Sequence, residues 1–245
     1  MIKKIFSFIL SGILCVFLTG CAKHSAAYSA EYYYLYPQFM KAAAVTKRIA
    51  TVYIPDAADT YTTVEDVVKK VKPASSRTVT ECDFSTGACS VYSLNDGSDE
   101  KIGAVTYTYN YNEKKMAISR SGNNVFTEYL YTDGKMVSLA DYEGTGKTAD
   151  SVPLRTIVFD YDNSGHGTHS KLTDNTTDPV STYDYTMEYD GAGRLTRINT
   201  MMAGVFKGHT ILTYNEKGLI VSSAVYSIVS ENQEKVLTYT EYTYE

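Results

Sequence analysis

Tryptophan is absent from these 245 residues, and proline occurs only 5 times. Proline removes a backbone donor and is excluded from central strands, so its scarcity leaves long ladders possible. Cysteine and histidine each number 4, which leaves little for metal binding or general-base chemistry. The imidazoles are His24, His166, His169 and His209, and no serine or cysteine has a nucleophile-elbow setting. Long apolar runs are scarce too: residues 5 to 18 form an almost uninterrupted one, too short for a comfortable transmembrane helix. Cations are also in deficit, 23 Lys and Arg against 28 Asp and Glu, so nucleic acid is not an expected partner.

Tyrosine is abundant, with 23 copies. The stretch Tyr183 to Thr200 shows how they are used. Tyr183, Tyr185, Met187 and Tyr189 alternate with Asp184, Thr186 and Glu188, the period of a half-buried strand. Asp190-Gly191-Ala192-Gly193 permits a reversal. Leu195 and Ile198 then resume the apolar pattern three residues apart, which predicts a bulge or a two-sided return strand. The unit reads as a β-hairpin.

The N-terminus reads as a targeting signal: Lys3 and Lys4 precede the apolar run, which is short for a membrane span. Leu18-Thr19-Gly20-Cys21 resembles a bacterial lipobox. That resemblance implies cleavage after residue 20 and acylation of Cys21, hence a membrane partner through a lipid anchor. Loss of Lys3 and Lys4 takes the formal charge from −5 to −7. Ala22 after the lipidated cysteine implies the outer membrane in enteric-type sorting. Of the remaining cysteines, Cys82 and Cys89 flank six residues and predict a disulfide across a tight hairpin in an oxidising compartment.

Residues 21–60 read as a tether and an ill-defined N-terminal segment, with an aromatic run at Tyr32 to Tyr36 and a candidate strand from Arg48 to Ile54. The aromatic run suits packing on a sheet edge; an exposed binding strip is the alternative. Residues 61–73 read as one short amphipathic helix. Val64, Val67, Val68 and Val71 share a face, Thr63 is placed to N-cap, and Pro73 stops the helix.

Residues 74–245 read as the β domain. The pattern of the opening stretch recurs on six anchor tyrosines, Tyr111, Tyr131, Tyr161, Tyr189, Tyr214 and Tyr244. An aromatic or large apolar residue stands two places earlier, and a polar one follows each. Gly134, Gly165, Gly193 and Gly218 lie three or four residues past their anchors. Tyr189-Asp190-Gly191-Ala192-Gly193-Arg194-Leu195 resembles the YD repeat of the RHS family, and the turns at Tyr214 and Tyr131 are degenerate copies. The resemblance implies an antiparallel meander. The expected fold is therefore all-β, about six YD-type hairpins in a twisted open sheet, with Tyr244 at the open end.

Chemical motifs are thin. Asp160 to Gly165 imitates the start of a calcium loop, but Lys171 stands where a bidentate glutamate belongs. His166 and His169 lack a third ligand nearby. No catalytic residue, metal or cofactor is implied. The sequence thus points to a monomeric cell-envelope lipoprotein that binds or scaffolds, with an envelope protein or polysaccharide as partner. A hydrolase of envelope polysaccharide and a MORN-like antitoxin-type repeat protein are the rival readings.

Overall fold

The structure, a computed structural model, describes residues 40–41, 43–114, 116–230 and 233–245. The expected signal segment, Cys21 as the expected lipidation site, His24 and the aromatic run lie outside the described residues. Alternating segments separated by polar turns produce fourteen strands. The first five are β1 (Lys47–Tyr53), β2 (Ser76–Asp83), β3 (Ala88–Asn95), β4 (Ile102–Tyr111) and β5 (Ala117–Gly122). Then come β6 (Val125–Thr132), β7 (Lys135–Glu143), β8 (Arg155–Tyr161), β9 (Gly167–Asp174) and β10 (Ser181–Tyr189). The last are β11 (Leu195–Met202), β12 (Val205–Tyr214), β13 (Ile220–Ser230) and β14 (Gln233–Tyr244).

Every strand pairs antiparallel with its neighbours, and β1 lies between β14 and β2, so the sheet is a closed barrel. This corrects the expected open sheet of about six hairpins. The closing strand comes from residues 21–60, where alternation is faint: Arg48, Ala50 and Val52 take one face, Lys47, Ile49 and Thr51 the other. Ile49 pairs with Thr243 on one side and with Val79 on the other. Closure satisfies both rows of edge amides and carbonyls that an open meander would leave exposed.

The helix is α1 (Val64–Lys70), capped by the Thr63 hydroxyl, which accepts from the Asp66 amide at 3.2 Å. Val67 is buried while Val68 is exposed, so the apolar face is narrower than the valine spacing suggests. α1 packs against β14, and the Val236 amide donates to the Tyr61 carbonyl at 2.8 Å.

Cross-strand register separates inside from outside. Ala50 pairs with Tyr242, Cys82 with Cys89, Tyr129 with Leu139, Leu139 with Ile157, and Met187 with Ile198. These side chains converge in two buried clusters that both reach Met187. The core is therefore the barrel interior. The Cys82–Cys89 disulfide lies within it, joining residues directly opposite each other on β2 and β3.

Candidate functional site

All six anchor tyrosines stand within one residue of a strand's end: on β4, β6, β8, β10, β12 and β14. Because the strands alternate in direction, these ends collect at one rim of the barrel. The register slips immediately before Tyr111, Tyr131, Tyr161, Tyr189 and Tyr214. Such a bulge turns the following residues together, and it lets Leu195 and Ile198 both face inward.

Local hydrogen bonding accounts for the polar residue after the anchor. Asp190 Oδ1 accepts from the amides of Ala192 and Arg194, each at 2.9 Å, and Asp190 exchanges backbone bonds with Arg194 and Gly193. Asn215 does the same with Lys217 (3.0 Å) and Leu219 (2.9 Å), and Asp162 with Ser164 (2.8 Å) and His166 (2.9 Å). A short acceptor suits that place, and Asp or Asn supplies it at these turns; Thr132 follows Tyr131, where the turn is the tighter Asp133-Gly134. Gly134, Gly165, Gly193 and Gly218 have φ of 79°, 88°, 76° and 75°, a left-handed backbone that disfavours a Cβ.

Successive turns are also clamped together. The Tyr161, Tyr189, Tyr214 and Tyr244 hydroxyls donate to the carbonyls of Met136 (2.8 Å), Gly167 (2.8 Å), Leu195 (2.6 Å) and Ile220 (2.7 Å). Each acceptor lies at the start of the preceding hairpin's return strand. The residue before that acceptor covers the same ring: Lys135 over Tyr161 at 5.4 Å, Arg194 over Tyr214 at 5.3 Å, and His166 beside Tyr189 at 4.8 Å. His166 thus stands where Arg194 stands in the next hairpin. Inward residues near this rim seal it: Ala117, Met136, Leu195 and Ile220 are buried, and Met40 adds to the plug beside Cys82, Cys89 and Tyr109.

The opposite end, the cup, carries a polar share of the inward lining. Inward-facing Thr78, Ser93, Tyr107, Arg120, Arg155, Tyr183, Thr200 and Ser227 are only half-buried. A barrel of this strand number lies between those of about 8 strands, which side chains fill, and those of about 16, which hold an aqueous channel. One wall carries an inward row across neighbouring strands: Arg120 pairs with Thr127, Thr127 with Asp141, and Asp141 with Arg155. The Thr127 hydroxyl donates to Asp141 Oδ1 at 2.6 Å, and Arg155 donates to Oδ2 at 2.8 Å. Arg120 donates to the Thr127 hydroxyl at 3.0 Å, 3.9 Å from Asp141, with its guanidinium 4.9 Å from the Tyr107 ring centre. This row escaped the sequence reading, because its members are about 7 to 14 residues apart and only the register aligns them.

The outer face is polar where the sequence motifs lie. His169 is 3.0 Å from Asp160 and 3.2 Å from Asp184 across β8, β9 and β10, and Arg197 approaches Glu188 at 3.8 Å. Asp160 and Asp162, paired in sequence as a calcium-like loop, diverge: one meets His169, the other closes its own turn. Among the described residues no group of three or more His, Cys, Asp or Glu could hold a metal ion. His209 also faces outward yet is buried, stacked 4.7 Å from Tyr226, and burial holds its pKa below the ordinary 6.5.

Fold and site together define a closed, antiparallel fourteen-strand barrel sealed at one end. No family profile matches the chain, and no curated protein matches it. Among solved structures it is similar to a porin-like protein from Bacteroides uniformis ATCC 8492, at TM-score 0.45 and 12% identity over 82% of this chain and 98% of that one. It is also similar to TcdB2-TccC3-TEV, at TM-score 0.24 and 11% identity over 76% of this chain but 15% of that one. TcdB2-TccC3 without its hypervariable C-terminal region gives 0.25 and 14%, over 74% and 12%. Similarity at this level bears on neither ligand nor location.

Proposed function

We propose that this protein is a lipid-anchored envelope protein whose barrel stands in water as a binding module, with the cup as its ligand site. The observation that carries the reading is the contrast between the two ends: one packed with tyrosine, methionine and leucine, the other lined with hydroxyls, guanidinium groups and carboxylates. The outer face supports a watery setting. A transmembrane barrel presents an apolar band about 25 Å tall, whereas Asp160, His169, Asp184 and Arg197 lie outward on successive strands.

The tether supports an orientation. Met40 and Lys47 enter at the plugged end, so an anchor at Cys21 leaves the cup facing away from its attachment. The lipobox and Ala22 favour the outer membrane. The tight Tyr-Asp/Asn turns are the feature shared with the YD repeat, and they support its use as a rigid frame. A polysaccharide hydrolase would need two carboxylates open to one space. The inward Asp141 is engaged by Arg155 and Thr127, and Asp174 by Thr176. No observation favours the MORN-like antitoxin reading.

Cys21→Ser should move the protein from the membrane to the soluble or unprocessed fraction; equal fractionation of both forms would overturn the anchor. Titration of the isotope-labelled barrel with a soluble digest of envelope glycans should shift resonances of Thr78, Ser93, Tyr183 and Ser227. Shifts confined to the outer face would overturn the cup as the site.

A further inference from the structure

We infer that the outer wall carries a second binding site, a stacking platform for a neutral saccharide on β1, β14 and β13. It lies outside the cup, and either site can fail without the other. Tyr53 and Tyr239 pair directly across the two strands that close the barrel. Ala50 pairs with Tyr242 inside, so Val52 and Thr240 also face inward and the two tyrosines outward. Their ring centres are 5.7 Å apart with planes at 41°, and both residues are half-buried, so each keeps surface in solvent. On β13 the residue opposite Tyr239 is Ala224, whose methyl group leaves that flank of the ring unobstructed.

One carboxylate holds both rings. The Tyr53 hydroxyl donates to Glu241 Oε2 at 3.2 Å, and the Tyr239 hydroxyl donates to Oε1 at 3.4 Å. With both rings tethered, less side-chain entropy is lost when a ligand stacks on them. Each carboxylate oxygen retains a lone pair, and two such oxygens side by side suit two adjacent sugar hydroxyls. Among the described residues Glu241 forms no ion pair.

Register extends the polar side. Thr51 and Ser222 pair with Glu241 on either hand, and Thr213 pairs with Ser222, their hydroxyls 2.5 Å apart. This row lies two residues, about 7 Å, along the strands from the ring pair. A pyranose needs these two surfaces, aromatic faces for its C–H groups and a polar row for its O–H groups. An acidic sugar would set its own charge against Glu241, and like charges repel.

The test is titration of the isotope-labelled, detergent-solubilised protein with maltotriose, trigalacturonic acid and choline, followed by calorimetry and NMR. Maltotriose should bind at least about tenfold more tightly than either of the others, and Tyr239→Leu should weaken it at least about tenfold. Glu241→Gln should close the gap between maltotriose and trigalacturonate. Trigalacturonate binding the native protein as tightly as maltotriose, or an undiminished gap in Glu241→Gln, would overturn the choice of a neutral sugar. Choline binding as tightly or more so would replace the saccharide by a cation. Unchanged maltotriose affinity in Tyr239→Leu would remove the platform. Should that variant fail to fold, the native protein decides, since maltotriose should shift the Tyr53 and Tyr239 ring resonances. Absence of those shifts, with or without shifts at Thr78 and Ser93 of the cup, would overturn the outer site.

Discussion

The Tyr189 hydroxyl donates to the Gly167 carbonyl at 2.8 Å, tying the last residue of β10 to the first of β9. The same bond recurs at Tyr161, Tyr214 and Tyr244. Through it the turns from β6 to β14 become one network of hairpins, each bonded to the next.

Removing that bond separates packing from hydrogen bonding. Tyr189→Phe should cost about 1 kcal/mol and Tyr189→Ala about 3 kcal/mol or more, read from urea unfolding midpoints. An open sheet would make Tyr244→Ala clearly milder. In the closed barrel Tyr244 has neighbours on both sides, pairing with Arg48 and bonding to Ile220, and burial pushes its pKa up to about 12. Tyr244→Ala should therefore cost as much as Tyr189→Ala, and a small cost would argue that β1 does not close the barrel.

The turn carboxylates should set acid stability. Burial alone would raise the Asp190 pKa, but the Arg194 amide and guanidinium hold it below the ordinary 3.8. The His166 amide likewise lowers Asp162, and the Ser85 hydroxyl lowers Asp83. A depressed folded pKa stabilises the fold above the unfolded pKa and is lost as pH falls through the folded one. Stability should thus fall below about pH 4, and Asp190→Asn should flatten that fall. Asn112 and Asn215 already occupy the equivalent position, so the turn should survive the change.

His209 gives a second pH signature. Burial, aided by the charge of Arg197, keeps its imidazole neutral in the fold. Its folded pKa lies below 6.5, so its contribution is complete above pH 6.5 and is lost as pH falls below that value. Proton NMR should place its midpoint under 6.5, and His209→Phe should remove the pH dependence just below it. A midpoint at or above 6.5 would show that the stack with Tyr226 is open to water.

Gly208 brings the backbone of β12 close against β13. A Cβ there would collide with the Tyr226 carbonyl, and φ is 150°. Gly208→Ala should destabilise by about 1–3 kcal/mol, as overpacking does. An unchanged unfolding midpoint would mean the two strands can part there without penalty.

Much of the frame was readable in the chain. Alternation at Tyr183 to Tyr189 marked a strand, and the Asp190 turn marked its reversal, because both signals are local. Cys82 and Cys89 read as a hairpin staple because they flank a short loop and are the two cysteines left after the signal segment and Cys21. Thr63 read as a cap because its hydroxyl serves an amide three residues on.

Closure and the cup were not readable. Arg48 pairs with Tyr244, and Lys47 meets Glu245 across 198 residues, with no composition or period to announce either. The same is true of Arg120, Asp141 and Arg155, whose common wall is set by strand register alone. Sequence by itself determined where the chain would extend and where it would turn, since those preferences arise within a few residues. Only the tertiary structure decided that the sheet returns on itself and which polar side chains it faces inward. Twist and register accumulate over all fourteen strands, and no single segment carries their sum.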